Sequence, residues 1–110
     1  MNFIDINYID ECIYDLANYT EKARPYTRLV FSDEFLDARN WLTQKFNQLN
    51  LIIKTDYSGN LIGVYKSNKD SPKKIIIGSH IDTVVSGGRY DGIAGVVSGL
   101  AIIKSIIEQK

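Results

Sequence analysis

The chain has little of the chemistry from which most metal and redox sites are built. Its 110 residues include one histidine and one cysteine. A lone cysteine, Cys12, makes neither an internal disulfide nor a thiolate metal cluster. A lone histidine, His80, excludes a site of several histidines within this chain. It also excludes a Cys–His–Cys arrangement and any mechanism that needs two imidazoles. Net charge is absent too, with 13 Lys and Arg against 13 Asp and Glu. Without a basic footprint, nucleic acid is not an expected partner. No apolar run approaches the roughly 18–20 residues that span a bilayer, so no membrane partner is expected either. The stretch from Met1 to Ile13 has no basic start, and Asp5, Asp10 and Glu11 break up its apolar residues. That reads as a protein without a targeting segment, and the expected location is cytoplasmic.

What remains is globular. Hydrophobic residues make up 45% of the sequence and charged residues 24%, enough for one domain with a core. Ile6, Ile9, Ile13, Leu16 and Ala17 follow helical spacing and predict a helix from about Asn7 to Thr20. Pro25 disfavours helix at Arg24, and Thr27 to Phe31 reads as extended or irregular. Ser32 is a good N-cap for a second helix, with Asp33 and Glu34 in its first turn. Phe35, Ala38, Leu42, Phe46 and Leu49 form its core stripe beside Trp41, and Asn50 suits the left-handed residue that ends it. Leu51 to Tyr57 and Leu61 to Lys66 read as a hairpin around Ser58-Gly59-Asn60. Ile75-Ile76-Ile77 reads as a strand buried on both faces. A glycine-rich loop from Ser86 to Gly92 precedes a last helix from about Ile93 to Glu108, on which Gly92, Gly95 and Gly99 lie near one face. The expected architecture is an α/β layered domain, a mixed sheet flanked by helices.

The polar residues with most chemical promise fall between Gly78 and Gly92. His80 ends the Ile-rich segment, at the sheet edge where open α/β folds bind ligands. Asp82 lies two residues on, on the same face if the chain stays extended. It is then placed to hold the second ring nitrogen of a ligating imidazole. Asp91 follows after Gly87 and Gly88, which let the chain fold back toward His80. Each residue alone has a plainer reading: His80 as a hydrogen-bonded structural residue, Asp82 as a turn residue, Asp91 as a helix N-cap. Gly87-Gly88 fits neither a phosphate loop nor a dinucleotide fingerprint.

The wording of this segment says more than its spacing. Ile77-Gly78-Ser79-His80-Ile81-Asp82-Thr83-Val84, then Gly87-Gly88-Arg89-Tyr90-Asp91-Gly92, then Gly95-Val96, resembles the M20 metallopeptidase superfamily. The short path from His80 to Asp91 resembles its amidase/hydantoinase/carbamoylase branch, which includes N-carbamoyl-L-amino acid hydrolases and allantoate amidohydrolases. Thr27-Arg28-Leu29, Ala38-Arg39-Asn40-Trp41-Leu42 and Asp56-Tyr57-Ser58-Gly59-Asn60-Leu61-Ile62-Gly63 resemble that branch as well. The resemblance covers roughly residues 6–108.

The resemblance implies that His80 ligates one of two divalent metal ions and that Asp91 bridges the pair. It implies that Asp82 is the catalytic-site carboxylate behind the imidazole. The metal is expected to be zinc, with Mn, Ni or Co as alternatives. In the family a metal-activated water attacks a carbamoyl or amide carbon, a non-peptide C–N bond. The expected substrate is a small ureido or carbamoyl compound. The family's general base, its remaining ligands and its dimerisation domain have no counterpart here, and Glu108 is the only acid after Asp91. Residues 1–110 therefore read as a single partial domain, the N-terminal part of a zinc-hydrolase-type catalytic domain. Such a chain is expected to bind metal weakly at most and to be inactive alone. Two roles stand open: an enzyme component completed by a complementary downstream polypeptide, or a degenerate remnant or interaction module that keeps the fold. In either case an unpaired apolar strand edge predicts self-association or marginal stability.

Overall fold

The computed structural model describes residues 4–109; the first three residues of the acidic N-terminal stretch lie outside it. Three helices and one hairpin follow in the order α1 (Ile6–Ala17), α2 (Asp33–Gln48), β1 (Ile52–Thr55), β2 (Leu61–Val64) and α3 (Ile93–Glu108). The expected α/β class holds. No described helix is long and apolar enough to cross a membrane.

Local chemistry sets the ends of these elements. The Asp5 carboxylate caps α1 by accepting the Tyr8 amide at 3.0 Å. Ser32 Oγ caps α2 by accepting the Phe35 amide at 3.2 Å. Asn50 is left-handed just past that helix, with φ 54°, as its place after the stripe predicted. The β1–β2 hairpin is antiparallel with Ile53 opposite Gly63 and Thr55 opposite Leu61. Asp56 organises its turn, accepting from the amides of Ser58 and Asn60 and from the Asn60 side chain. Those donated hydrogen bonds hold its carboxyl below the usual range.

The core lies where the three helices meet: Cys12 and Leu16 from α1, Ala38, Trp41 and Leu42 from α2, and Ile93, Val97 and Leu100 from α3. Trp41 is buried but reaches Asp15 with its indole N–H at 3.3 Å. Cys12, fully buried, joins the predicted stripe on the α1 face: Leu16 is buried, Ile9 and Ile13 pack against the core, and Ile6 is exposed. A free thiol packs as a small apolar group.

One element departs from expectation. Ile75-Ile76-Ile77 is not a strand buried on both faces: Ile75 is 92% exposed, Ile76 88% and Ile77 43%. The only sheet among the described residues is β1–β2. An apolar run becomes a strand only where a neighbour takes up its N–H and C=O groups. Here no described strand does so, and the segment rests on α3 by one side alone.

Candidate functional site

The contact with α3 begins at its N-cap. Gly92 is the N-cap, with φ 72° and ψ −46°, a quadrant that L side chains rarely enter. A Cβ at Gly92 would collide with the His80 carbonyl oxygen and stand 2.6 Å from two atoms of its imidazole. One turn on, a Cβ at Gly95 would stand 2.7 Å from Ser79 Cβ. Both positions need hydrogen as a side chain for the helix to lie flush against residues 79–80. The plainer reading of Asp91 as a helix cap is not what the chain does, because Gly92 is the cap and no side chain bonds to it.

This close approach brings together the three residues singled out in the sequence. His80 Nδ1 lies 3.0 Å from the Asp82 carbonyl oxygen. A carbonyl only accepts, so Nδ1 carries the hydrogen, and Nε2 of the neutral ring is left with a free lone pair. Asp82 Oδ1 is 3.5 Å from the same nitrogen. On the opposite edge of the ring, Nε2 lies 3.7 Å from Asp91 Oδ2. The imidazole thus stands between two carboxylates, one behind Nδ1 and one beside Nε2. Its side chain is 50% exposed and that of Asp91 74%, so the Nε2–Asp91 edge is open to solvent. Metal–ligand bonds are about 2.0–2.2 Å for imidazole and carboxylate. One ion touching both Nε2 and Asp91 is compatible with their separation. Among the described residues no three His, Cys, Asp or Glu side chains converge on one cation position.

The support behind this segment was not read from the sequence. Arg28 is 2% exposed. Its Nε donates to the Ile81 carbonyl at 2.6 Å, and Nη1 donates to the carbonyls of Leu16 and Tyr19 at 2.9 and 2.8 Å. Its backbone pairs with Thr83: the Arg28 amide donates to Thr83 Oγ1 and the Thr83 amide to the Arg28 carbonyl, both at 2.8 Å. Thr27, fully buried, accepts the Ser86 amide. Burial pushes the Arg28 pKa down, against the pull of Asp82, and the negative end of α1 offsets part of the cost of a buried cation. An arginine in a segment without periodicity looks like a surface residue. The one available signal was the resemblance of Thr27-Arg28-Leu29. On the other flank, the Arg89 guanidinium lies over the rings of Tyr14, Tyr26 and Tyr90 at 5.4–5.7 Å. This ties the loop that carries Asp91 to α1.

No protein-family model matches the chain, but individual proteins do. It is 30% identical over 105 residues to ureidoglycolate hydrolase of Oryza sativa subsp. japonica, covering 94% of this chain and 22% of that protein. It is 34% identical over 103 residues to allantoate amidohydrolase of Bacillus subtilis (strain 168), covering 93% and 25%. A crystal structure of a hydantoinase/carbamoylase family amidase from Burkholderia ambifaria matches with a TM-score of 0.89 and 27% identity, over 96% of this chain and 26% of that one. The chain spans about a quarter of the length of these relatives. In sequence and in fold, the chain is similar to about a quarter of these amidohydrolases.

Proposed function

We propose that the chain carries the first half of a dinuclear metal site for hydrolysis of non-peptide C–N bonds, and that it is inactive alone. The observation that carries this reading is the His80 ring, hydrogen-bonded through Nδ1 and open at Nε2 beside Asp91. His80 and Asp91 are the residues that would hold a divalent ion, zinc in the first instance. When bound, the metal supplies Lewis acidity and a nucleophilic water at neutral pH. The chain's own residues do the positioning. Asp82 fixes the ring through its backbone carbonyl and stands behind Nδ1 with its carboxylate, which makes the imidazole a better donor. Asp91 presents an exposed carboxylate from the start of α3. Two donors are fewer than the three or four that a hydrolytic zinc site takes from protein, so the remaining ligands and the general base are to be supplied from outside residues 1–110.

The same reading accounts for Ile75–Ile77, an exposed apolar segment that the rest of the site-bearing fold would cover. A small ureido or carbamoyl compound is the substrate class, by relation to ureidoglycolate hydrolase and allantoate amidohydrolase. The test is reconstitution. The folded chain is mixed with the remaining three quarters of the Bacillus subtilis allantoate amidohydrolase, and ammonia release from allantoate is followed with added zinc. Activity that His80→Ala abolishes is expected. A well-folded, stably associated mixture with no activity would refute the proposal and leave a non-catalytic module that retains the fold.

A further inference from the structure

We infer that Arg28 is a positioning residue for His80, holding the imidazole in the Nδ1–H form through the backbone of the His80–Asp82 segment. Arg28 does not touch the ring. It grips the residue between the two site residues: its Nε–H donates to the Ile81 carbonyl at 2.6 Å. Two backbone-level bonds to Thr83 fix the other end of the same stretch. With Ile81 and Thr83 both tied to Arg28, the Asp82 carbonyl has little freedom to turn away from Nδ1. The other arm of the guanidinium is anchored on Leu16 and Tyr19, at the end of α1. One side chain therefore references the half-site to the helical core. Lysine at this position keeps the charge but not the planar fork that reaches three carbonyls on two elements.

The inference rests on the reading of Nε2 as the ligand atom, because the ring's orientation matters most if that atom is used. The test is chosen to separate the two. His80 is the only histidine, so nitrogen NMR of the metal-free full chain, at a pH where the ring is neutral, reports its tautomer without ambiguity. Wild type is expected to show mainly the Nδ1–H form, and Arg28→Lys a ratio of Nδ1–H to Nε2–H lower by roughly 2–10-fold, the equivalent of one hydrogen bond. Leu42→Ala, a core truncation on α2, is expected to lower stability and leave the ratio unchanged. The Arg28 Nε–H of wild type is expected to exchange with solvent only on global opening, a result that supports the inference even if Arg28→Lys fails to fold.

The inference is overturned if folded Arg28→Lys keeps the wild-type ratio, if Leu42→Ala moves it equally, or if the Nε–H exchanges like that of an exposed arginine. The reconstitution assay reads the metal role separately. An Arg28-dependent tautomer beside a well-folded, stably associated mixture with no activity keeps this inference and loses the proposed function.

Discussion

Replacing Gly92 with alanine tests the physical basis of the half-site most directly. The backbone at φ 72°, ψ −46° costs an L residue on the order of 1–3 kcal/mol. The new methyl must also displace His80, whose carbonyl and ring occupy the space, and overpacking of this kind costs typically 1–3 kcal/mol more. The native state should therefore lose about 2–6 kcal/mol, a large share of the roughly 5–15 kcal/mol that stabilises an ordinary domain. Gly88→Ala is the control. Its φ is also positive, at 85°, but nothing lies within 4 Å of the added methyl, so it bears the backbone cost alone.

Urea melts followed by the fluorescence of Trp41, the single tryptophan and a buried one, read both variants. With a slope of about 1–3 kcal/mol per M, the two midpoints should differ by roughly 1 M, Gly92→Ala being the lower. If the variants melt within about 0.5 kcal/mol of each other, the surface-mutation scale, the close approach of α3 to His80 does not constrain the ring. The account of how Asp91 reaches His80 would then fail with it.

Gly95 and Gly99 should respond in opposite directions, although alanine raises helix propensity by about 0.8–1.0 kcal/mol at both. Gly95→Ala meets Ser79 Cβ at 2.7 Å and should destabilise in the same urea assay. Gly99→Ala meets Ile77 at 3.2 Å, on an exposed segment outside the described sheet, and should be neutral or stabilising by up to about 1 kcal/mol. A clear loss there would mean that Ile77 is held rigidly. Cys12 is fully buried and its thiol is pushed up by that burial. A thiol reagent should modify it only at the rate of global opening, and rapid modification in native buffer would contradict the core as described.

Three carboxylates sit below their usual range: Asp5 through the Tyr8 amide and then Lys104, Glu21 through Arg24, and Asp56 through Asn60. Depressed values stabilise the fold above the unfolded-state pKa and are lost as pH falls through the folded one. The melting temperature should therefore hold down to about pH 5 and fall below about pH 4. A flat profile through pH 3 would show that these contacts do not form in solution.

The sequence made some of this legible because the signals were local. Ser32 followed by Asp33 and Glu34 needs no tertiary context to start a helix, and Gly92 before an apolar 16-residue stretch needs none to start another. The meeting of His80 with Asp91 was legible for the same reason, since the glycines between and after them permit the reversal. Ile75–Ile77 was misread because apolar continuity reports what a segment is suited to pair with. Whether a partner is present is a different matter. On α1 the stripe of Ile9, Ile13 and Leu16 was legible, but Cys12 was missed because a free cysteine was not counted as a core residue, and Ile6 lies exposed. Arg28 was hidden because its role depends on carbonyls 9 to 53 residues away, and nothing in a side chain's type announces that its acceptors will be backbone.

The half-site lies on one continuous stretch, and this bears on how it could work. His80, Asp82 and Asp91 span twelve residues, so bringing them together closes only a short loop at small entropic cost. Gly92 and Gly95 set the distance from one side, and Arg28 sets the ring's orientation from the other. Neither device draws on the exposed apolar segment or on any further polypeptide. On the proposed reading the ordered pair exists before a complementing chain arrives, and that chain has to add ligands to a donor set already aimed. Such preorganisation places the ordering cost in folding rather than in assembly. It predicts that substitutions at Gly92 and Arg28 weaken reconstituted activity while the two polypeptides still associate. Substitutions at Ile75 or Ile76 should do the reverse, weakening association and leaving the activity of each assembled complex intact.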